Sequence, residues 1–245
     1  MLKFTIITVC YNASIYISQT IESVLNQTYG NYEYLIIDGK SSDDTINIIK
    51  RYSHNNIQWI SEKDSGIYDA MNKGINKSSG DFLIFMNAGD CFCDNKVLEN
   101  INEFYSSQTN QYDVIYGDAL LVSKKGVKLY KPLALKKLRY DMIASHQCTL
   151  IRNSILKENP FDLQYKLAAD YNQISKLYFK GYTFLYFPET IAKVIIDDGA
   201  TFKNFIQSKK EVLHISRKRI QNFAVLHFIY EITRFKLVNL YKKIF

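Results

Sequence analysis

The sequence contains few of the residues that dominate linkers and low-complexity segments. Of 245 residues only three are proline and ten are glycine, while hydrophobic residues make up 47%. A chain of this kind has the apolar side chains for a sizeable core and no compositional sign of disorder. We therefore expect one large domain, or one domain with an appendage.

Cysteine and long apolar runs are equally scarce. The chain has four cysteines; Cys91 and Cys93 lie too close together for a typical zinc site, and no matching pair follows them. We expect free thiols in a reducing compartment. The N-terminus MLKFTIITVCYN lacks the small-residue cleavage site of a signal peptide, and no apolar run approaches the ~20 residues of a membrane span. The sequence therefore predicts a cytoplasmic protein.

Most of the chain has no excess of basic charge, and the whole basic excess lies in its last 45 residues. Residues 201–245 hold ten Lys or Arg against two Asp or Glu, whereas the first 200 residues hold 21 against 22. Cations mixed with Phe, Tyr, Ile and Leu are typical of an interfacial helix beside anionic lipid, here at the inner face of the cell membrane. The alternative is a helix packed on the main domain. No nucleic-acid-binding module matches, so nucleic acid is not an expected partner.

Apolar patterning in the first ninety residues alternates between strands and helices. KFTIITVCYN, YEYLIID, IQWIS and DFLIFMN are apolar and strand-like, and the stretches between them have helical spacing. The first helix is expected to end at Gly30 as a C-cap. This order predicts an α/β protein with parallel strands and right-handed crossovers. Further on, YDVIYGDALLVS, GVKLYKPLA and TFLYFPETIAKVI are predicted strands, AADYNQISKLYFKGY a helix and IDDGATFKN a loop.

Polar side chains follow each of the first four strands. Parallel sheets bind ligands in the crevice beyond the carboxyl ends of their strands, so side chains at those ends are candidates for a site. Any one of them could equally be a solvated loop residue or a helix cap. The candidates are Tyr11 and Asn12, Asp38, Glu62 and Asp64, and Asn87 and Asp90.

Two common phosphate-binding fingerprints are missing. No G-x-G-x-x-G follows the first strand, and no G-x-x-x-x-G-K-[ST] occurs, which excludes the usual dinucleotide-binding motif and the P-loop. If phosphate binds, its charge must be met by another group. A divalent ion held by a carboxylate is the natural substitute, because hard cations prefer oxygen ligands.

Five segments carry a family resemblance. TIITVCYN, LIIDGKSSDDT, SEKDSGIYDAMNKGI, GDFLIFMNAGD and SHQCTLIR are similar, in order and spacing, to family 2 glycosyltransferases of the GT-A fold, in particular the bacterial enzymes that build exopolysaccharide and O-antigen units. The resemblance spans roughly residues 3–200. It implies an α/β fold with a single nucleotide-binding domain, a mostly parallel central sheet flanked by helices, and a C-terminal helical appendage. We divide the chain into a glycosyltransferase domain, 1–205, and a basic amphipathic helical region, 206–245.

The resemblance assigns the nucleotide to the ends of the first two strands. Val9, Tyr11 and Asn12 correspond to family residues that contact the base and ribose, and Asp38 to the carboxylate that binds the pyrimidine. Without the resemblance, Asp38 could instead cap the following helix.

The donor site is expected to continue along the third and fourth strands. Asp64, Asp69 and Asn72 correspond to family residues that line it. Ala88 and Gly89 keep the turn after the fourth strand small enough for the diphosphate to come close.

The family's D-x-D motif implies a metal. Its last carboxylate corresponds to Asp90, which is therefore the expected ligand of Mn²⁺ or Mg²⁺. The chain departs from the family at Asn87 and Gly89, where Asp is frequent. A modest metal affinity is expected when the donor diphosphate is not bound.

The family's general base precedes a helix in the second half and corresponds to Asp170. Its alternative role is an N-cap for that helix, and Asp197 and Asp198 are weaker candidates for the base. His146 is a candidate for contact with the diphosphate or the acceptor, or is a structural histidine.

The predicted function is a metal-dependent, inverting glycosyltransferase. It would move a sugar from a nucleotide-sugar to a saccharide or lipid-linked saccharide in bacterial surface polysaccharide synthesis. UDP is the favoured nucleotide, with dTDP and GDP left open. The alternatives are a nucleotidyltransferase on a similar scaffold and a non-catalytic nucleotide-sugar-binding protein.

Overall fold

Strands and helices alternate through the first part of the chain. The computed structural model describes residues 1–52, 57–196, 204–220 and 225–235. The first elements are β1 (Phe4–Cys10), α1 (Ile17–Leu25), β2 (Tyr32–Asp38), α2 (Thr45–Arg51), β3 (Ile57–Ser61), α3 (Ile67–Lys77), β4 (Phe82–Phe85), β5 (Cys91–Phe92) and α4 (Val97–Ser106).

The second part mixes hairpin strands with helices and ends in helices. Its elements are β6 (Val114–Ser123), β7 (Gly126–Tyr130), two short 3-10 helices (Leu135–Arg139 and His146–Cys148), β8 (Thr149–Arg152), α5 (Asn153–Glu158), α6 (Ala169–Phe179), β9 (Phe184–Ile195) and α7 (Phe205–Arg217). Residues 225–235 are also helical.

One nine-stranded sheet organises these elements. Its order is β3-β2-β1-β4-β8-β6-β9-β5, with β7 paired to β6 beside this path. The neighbours β3, β2, β1 and β4 pair in parallel, as the alternating pattern predicts. The second half adds antiparallel pairs, including β4 with β8 and β6 with β8, so the complete sheet is mixed. The carboxyl ends of the four parallel strands therefore open on one rim.

Both faces of the sheet are covered. Successive side chains of a strand point to opposite faces, and Phe4 and Ile6 of β1 join the core beneath α1 and α4, while Ile7 and Val9 join the core beneath α3 and α6. Burial on both faces explains why β1 has a continuous apolar sequence. Each fully buried side chain of this size contributes roughly 1.5–3 kcal/mol.

Some predicted boundaries are wrong. α1 ends at Leu25, not at Gly30: the Asn26 N–H makes the last helical bond, to Glu22 O at 3.0 Å, and the Gln27 N–H bonds only three residues back, to Val24 O at 3.1 Å. The sequence reasoning did not identify α4. At the end of α6, Gly181 has a φ of 82°, a left-handed conformation that suits the glycine placed there by the sequence. The predicted loop that contains Asp197 and Asp198 lies outside the described residues.

The C-terminal helix α7 contacts the rest of the domain. Val212 and Ile215 are buried in the core that α3 and α6 share. Lys209 Nζ lies 3.0 Å from Asp141 Oδ1. Within the described ranges, no helix combines the length and apolar character needed to cross a bilayer. The proposed boundary between residues 205 and 206 stays a prediction.

Candidate active site

A cleft of about 600 Å³ opens beyond the carboxyl end of β4. Its walls come from the turn after β4, the segment before β8, the start of α6 and the end of β9. This is the rim at which a parallel sheet is expected to bind its ligand. The polar residues that line the cleft include Asn87, Asp90, Ser145, His146, Gln147 and Asp170.

Asp90 lies in the turn at the bottom of this cleft and is only 6% exposed. Its Oδ2 accepts a hydrogen bond from Gln147 Nε2 at 2.7 Å, and its Oδ1 accepts one from the Ile195 N–H at 3.2 Å. Burial raises the pKa of Asp90 to about 6, although the Gln147 bond and nearby His146 pull it downward. A carboxylate held by two donors retains free lone pairs for a cation.

The backbone of the turn holds Asp90 in place. Ala88 N–H bonds to Val9 O at 3.2 Å, which ties the turn to the end of β1. Gly89 has a φ of 107°, and its N–H bonds to Thr20 Oγ1 at 2.9 Å. Glycine is suited to this left-handed conformation, so both the small size and the shape of the turn follow from the local sequence.

A row of contacting side chains connects this turn to α6. Asn87 Nδ2 lies 2.9 Å from His146 Nε2, and His146 Nδ1 lies 3.5 Å from Asp170 Oδ2. With Asn87 Nδ2 as the donor to Nε2, the neutral ring carries its proton on Nδ1, which faces Asp170. His146 therefore connects the predicted metal turn to the predicted base.

Asp170 lies in the first turn of α6 with its side chain 22% exposed. Its Oδ1 accepts hydrogen bonds from Tyr68 Oη at 3.1 Å and from the Tyr171 N–H at 2.8 Å. The N-cap of α6 is Ala168, which has no side-chain cap bond, so Asp170 is not the N-cap. Burial, and then the Asp170 charge, hold the pKa of Tyr68 well above its usual range, which keeps this phenol a donor.

The residues of the turn after β4 offer oxygen ligands that fit a divalent cation. Asn87 Oδ1 is buried and has no hydrogen-bond partner in the described part of the chain, and it shares a turn with Asp90. An amide oxygen and a carboxylate are ligands that Mg²⁺ and Mn²⁺ accept. Within the described residues, no three His, Cys, Asp or Glu side chains group as a metal site. Further oxygen ligands would have to come from a bound diphosphate or water.

Tyr11, Gly39 and Asp64 form a second polar corner on the rim. Tyr11 follows β1 and is 63% exposed. A Cβ at Gly39 would collide with the Asp64 carboxylate and would touch the Tyr11 ring. Asp64 Oδ1 accepts a bond from the Gly66 N–H at 2.9 Å. An exposed aromatic ring beside a carboxylate and bare backbone suits a flat heterocycle.

Asp38 ends β2 but is fully buried beneath this corner. Its carboxylate accepts bonds from Ser41 N–H at 2.9 Å, Ser41 Oγ at 2.5 Å, Ser61 Oγ at 2.6 Å and Cys10 Sγ at 3.6 Å. A carboxylate has about four acceptor positions. These contacts leave little capacity for a base, and the predicted pyrimidine contact has no support in them.

The other predicted donor residues have varied surroundings. Asn12 is exposed, with a φ of 48°, and its Oδ1 accepts a bond from the Ser42 N–H at 2.9 Å. Asp69 accepts a bond from the Ser65 N–H at 2.9 Å. Both ends of the Asn72 amide bond to the Phe161 backbone at 2.9 Å, so this side chain joins α3 to the second half. The roles of these residues in donor binding stay predictions.

Sequence reasoning missed three contributors to the site. Tyr68 was overlooked although it directly precedes Asp69 in a motif that carried the resemblance. Gln147 stands beside His146 in sequence, and only the fold shows its bond to Asp90. Gly39 directly follows a strand, but glycine is common in turns, so this position alone does not distinguish it from other turn residues.

Comparisons with known sequences find related glycosyltransferases. A PGL/p-HBAD biosynthesis glycosyltransferase of Mycobacterium bovis is 27% identical over 173 residues, which cover 69% of this chain and 67% of that protein. A glycosyltransferase of Mycobacterium tuberculosis is 32% identical over 170 residues, covering 68% and 65% respectively. The chain thus spans about two thirds of the length of these relatives.

Solved structures show the fold. Staphylococcus aureus TarS 1–349 in complex with UDP has a TM-score of 0.70 at 19% identity, covering 90% of this chain and 66% of that one. The mannosyltransferase PcManGT from Pyrobaculum calidifontis, in complex with GDP-Man and Mn²⁺, has a TM-score of 0.69 at 15% identity, covering 90% and 65%. This likeness confirms the predicted GT-A arrangement.

The family assignment rests on the sequence. The model of the family described as Glycosyl transferase family 2 matches residues 5–161. That range holds the turn with Asp90, the segment with His146 and the whole parallel half of the sheet. Since the match covers more than half of the chain, this protein belongs to glycosyl transferase family 2 and is a glycosyltransferase.

Proposed function

We propose that this glycosyltransferase uses a nucleoside-diphosphate sugar, with UDP the favoured nucleotide, and inverts the anomeric configuration with Asp170 as general base. The observation that carries the proposal is the chain of contacts in one cleft from Asn87 through His146 to Asp170, with Asp90 in the same turn as Asn87. One end of that chain suits a charged leaving group, and the other suits an attacking hydroxyl.

The nucleotide is proposed to bind at the corner of Tyr11, Gly39 and Asp64. The exposed ring offers a stacking surface, and the Asp64 carboxylate can accept an N–H from the base edge. TarS with UDP or UDP-GlcNAc and PcManGT with GDP-Man are proteins of the same fold, which supports a nucleotide-sugar donor.

Asp90 and the Asn87 amide oxygen would hold Mn²⁺ or Mg²⁺. A bound cation supplies electrostatic stabilisation for the negative charge on a departing diphosphate. The protein's own contribution is to keep the Asp90 carboxylate fixed between Gln147 and the Ile195 N–H and largely shielded from water.

Asp170 performs the proton transfer in this proposal. Tyr68 and the Tyr171 N–H occupy Oδ1. Oδ2 lies 3.5 Å from His146 Nδ1 and has a second lone pair with which to take the acceptor hydroxyl proton. The acceptor oxygen forms a bond to the anomeric carbon from the face opposite the diphosphate. The bond from that carbon to the diphosphate oxygen breaks, and its electron pair leaves with the diphosphate.

The acceptor is proposed to be a saccharide or lipid-linked saccharide used in bacterial surface polysaccharide synthesis. The helix of residues 225–235 exposes Leu226 at 66%, Ile229 at 55% and Tyr230 at 60%, at spacings that place them on one face. Together with the basic composition of the tail, this face supports peripheral contact with anionic lipid at the inner surface of the cell membrane.

Vesicle co-sedimentation tests the membrane part. We expect a variant with Leu226→Gln and Ile229→Gln to lose binding to phosphatidylserine vesicles, while Val127→Gln, which alters an apolar residue 63% exposed on β7, retains it. The basic contribution is expected to weaken in high salt. Equal sedimentation of all three proteins, or none for the wild type, would contradict the membrane proposal.

A donor screen tests the catalytic part. Thermal unfolding is measured with UDP-, GDP- and dTDP-sugars, with Mn²⁺ or with EDTA, and hydrolysis of the stabilising donor follows. A ligand at one hundred times its Kd stabilises by about 2.7 kcal/mol. Asp90→Asn is expected to remove the Mn²⁺-dependent part of the thermal stabilisation and of the donor hydrolysis.

The control for this variant is Asp94→Asn, whose carboxylate accepts a bond from the Lys96 N–H, away from the cleft. It is expected to behave as wild type. Stabilisation without turnover of any donor would indicate a binding protein, and undiminished Mn²⁺-dependent turnover in Asp90→Asn would refute the metal role.

A further inference from the structure

Glu211 of α7 binds the backbone just before α6. Its Oε2 accepts hydrogen bonds from the Leu167 N–H at 2.9 Å and the Ala168 N–H at 3.0 Å, and its Oε1 accepts one from the Lys166 N–H at 3.2 Å. One carboxylate therefore holds three consecutive backbone donors. These donors lie more than forty positions away in sequence.

The backbone donors at the start of α6 need such a partner. The first N–H groups of a helix have no acceptor within the helix, and a side chain at the N-cap usually supplies one. The N-cap of α6 is Ala168, which cannot do so. Glu211, on another helix, accepts the Ala168 N–H, which is the first of these donors, and its negative charge is favourable at a helix N-terminus.

The segment that Glu211 holds is part of the cleft. Lys166 and Leu167 line it, and Asp170 follows Ala168 by two residues. The position of the Asp170 backbone relative to Tyr68 and His146 therefore depends on how the turn before α6 is held.

α7 is itself held firmly against the domain. Ile215 is 1% exposed in the shared core. Just beyond α7, Arg219 donates to Asn172 Oδ1 at 3.0 Å and Ser175 Oγ at 3.1 Å, both on α6. Glu211 thus extends from a helix that is bound to α6 at a second point, which makes α7 a rigid support for the start of α6.

We propose that Glu211 is a positioning residue for the reaction, which places Asp170 by fixing the three N–H groups of Lys166, Leu167 and Ala168. The inference rests on the proposed role of Asp170 as the base. It makes α7 a working part of the glycosyltransferase rather than an appendage to it.

The first experiment measures the hydrogen bonds without substrate. Hydrogen exchange of the amides of residues 166–168 is followed by mass spectrometry in full-length wild type, Glu211→Ala and Glu211→Gln. We expect exchange to accelerate at least about tenfold in Glu211→Ala, since bonds to a charged acceptor are lost. Glu211→Gln, which keeps one acceptor oxygen, is expected to show a smaller acceleration.

The matched control is Glu231→Gln. Glu231 is another carboxylate of the C-terminal region, and it contacts Lys209 at 3.6 Å and not residues 166–168. It is expected to leave exchange at 166–168 unchanged. Unchanged exchange in Glu211→Ala, or equal acceleration in the control, would overturn the proposal.

The second experiment asks whether Glu211 acts through Asp170. Release of the nucleoside diphosphate from the nucleotide-sugar that the donor screen identifies is measured for wild type, Glu211→Ala, Asp170→Asn and the double variant. We expect Glu211→Ala to lower kcat by about tenfold to a hundredfold, the effect of a small misplacement, with the affinity for that nucleoside diphosphate unchanged. In the Asp170→Asn background the same substitution is expected to change kcat less than about twofold, because the group it positions is already gone.

The four proteins separate the two proposals. If Asp170→Asn keeps its turnover, the base assignment fails, and the role of Glu211 fails with it. If Asp170→Asn loses turnover but Glu211→Ala does not, the base stands and the positioning role is wrong. If the two effects multiply in the double variant, Glu211 acts independently of Asp170, which also overturns the inference. Should Glu211→Ala fail to fold, Glu211→Gln is used in the same cycle with smaller expected effects.

Discussion

The carboxylate at the end of β2 differs from the carboxylates of the cleft in what it contacts. Asp38 is fully buried, and four donors of the protein itself bind it. Asp90, in the turn after β4, and Asp170, at the start of α6, also bond to the protein, but both line the cleft. A position at the end of a strand brings a carboxylate to the rim, and the number of internal donors decides whether it remains available there.

The pKa of Asp90 follows from the same difference. Asp90 has two protein donors and is nearly buried, so desolvation prevails and its pKa is raised to about 6. A carboxylate that is costly to ionise, with few internal donors, gains more from an added cation than a fully bonded one. The chemistry of this site is therefore expected to depend on the turn after β4 and on α6.

The largest expected effect is that of Asp170→Asn. We expect kcat to fall by about two to four orders of magnitude, the usual range for loss of a general base. UDP affinity should remain as in wild type, because Asp170 lies at the start of α6 and away from the Tyr11 corner. Steady-state kinetics with calorimetry of UDP binding separates the two quantities.

The control for that variant is Asp162→Asn, whose carboxylate bonds to the Gln164 N–H outside the cleft. It should retain wild-type kinetics. Loss of UDP affinity in Asp170→Asn, or a normal kcat, would mean that the division of roles between the Tyr11 corner and α6 is wrong.

A second expected effect concerns the attachment of the C-terminal helices. Asp141 is bonded by Lys209 Nζ at 3.0 Å and lies 3.3 Å from His227 Nε2. Burial raises the pKa of Asp141, but the His227 bond and the Lys209 charge outweigh burial and lower it. Removing one member of a fully buried ion pair costs about 3–5 kcal/mol, and an exposed pair contributes at most about 1 kcal/mol. The Lys209 and Asp141 side chains are partly buried, at 16% and 17% exposed, so Asp141→Asn should lower the free energy of unfolding by roughly 1–3 kcal/mol at pH 7.

The sign of the pH dependence follows from the lowered pKa. The stabilisation by Asp141 is present above the ordinary Asp pKa of about 3.9 and is lost as the pH falls through the lower folded value. The difference between wild type and Asp141→Asn should therefore shrink below about pH 4. Urea unfolding at several pH values measures it.

Asp44→Asn is the control, since it breaks an exposed pair with Arg51 at 3.7 Å and should cost at most about 1 kcal/mol. A pH-independent difference for Asp141→Asn would show that packing, and not charge, holds the C-terminal helices.

The sequence was sufficient for features with a local signal. The apolar periodicity of the first four strands located the parallel half, and the placement of polar residues after strands led to Asp90 and Asp64. Non-local contacts have no such signal. Cys10 and Ser61 are distant from Asp38 in sequence and bind it only because β1, β2 and β3 are neighbours. The same reason hid Glu211, since nothing in the tail indicates which backbone it meets.

The smallest expected effect is on UDP affinity, and it distinguishes two carboxylates that follow parallel strands. The family resemblance assigns the pyrimidine to Asp38, whereas the contacts favour Asp64, which stands beside Tyr11 and Gly39 and accepts a single backbone bond from Gly66. We expect Asp64→Asn to weaken UDP binding by roughly 0.5–1.5 kcal/mol, the net contribution of a hydrogen bond. Asp38→Asn should lower the unfolding temperature, because buried donors lose their acceptor, and the folded variant should bind UDP with wild-type affinity. Calorimetry with UDP and thermal unfolding, each applied to both variants, give two UDP affinities and two unfolding temperatures. The opposite result would be weaker UDP binding in Asp38→Asn and unchanged binding in Asp64→Asn. In that case the buried Asp38 carboxylate must become accessible to the base, and its internal hydrogen bonds do not keep it from binding the nucleotide.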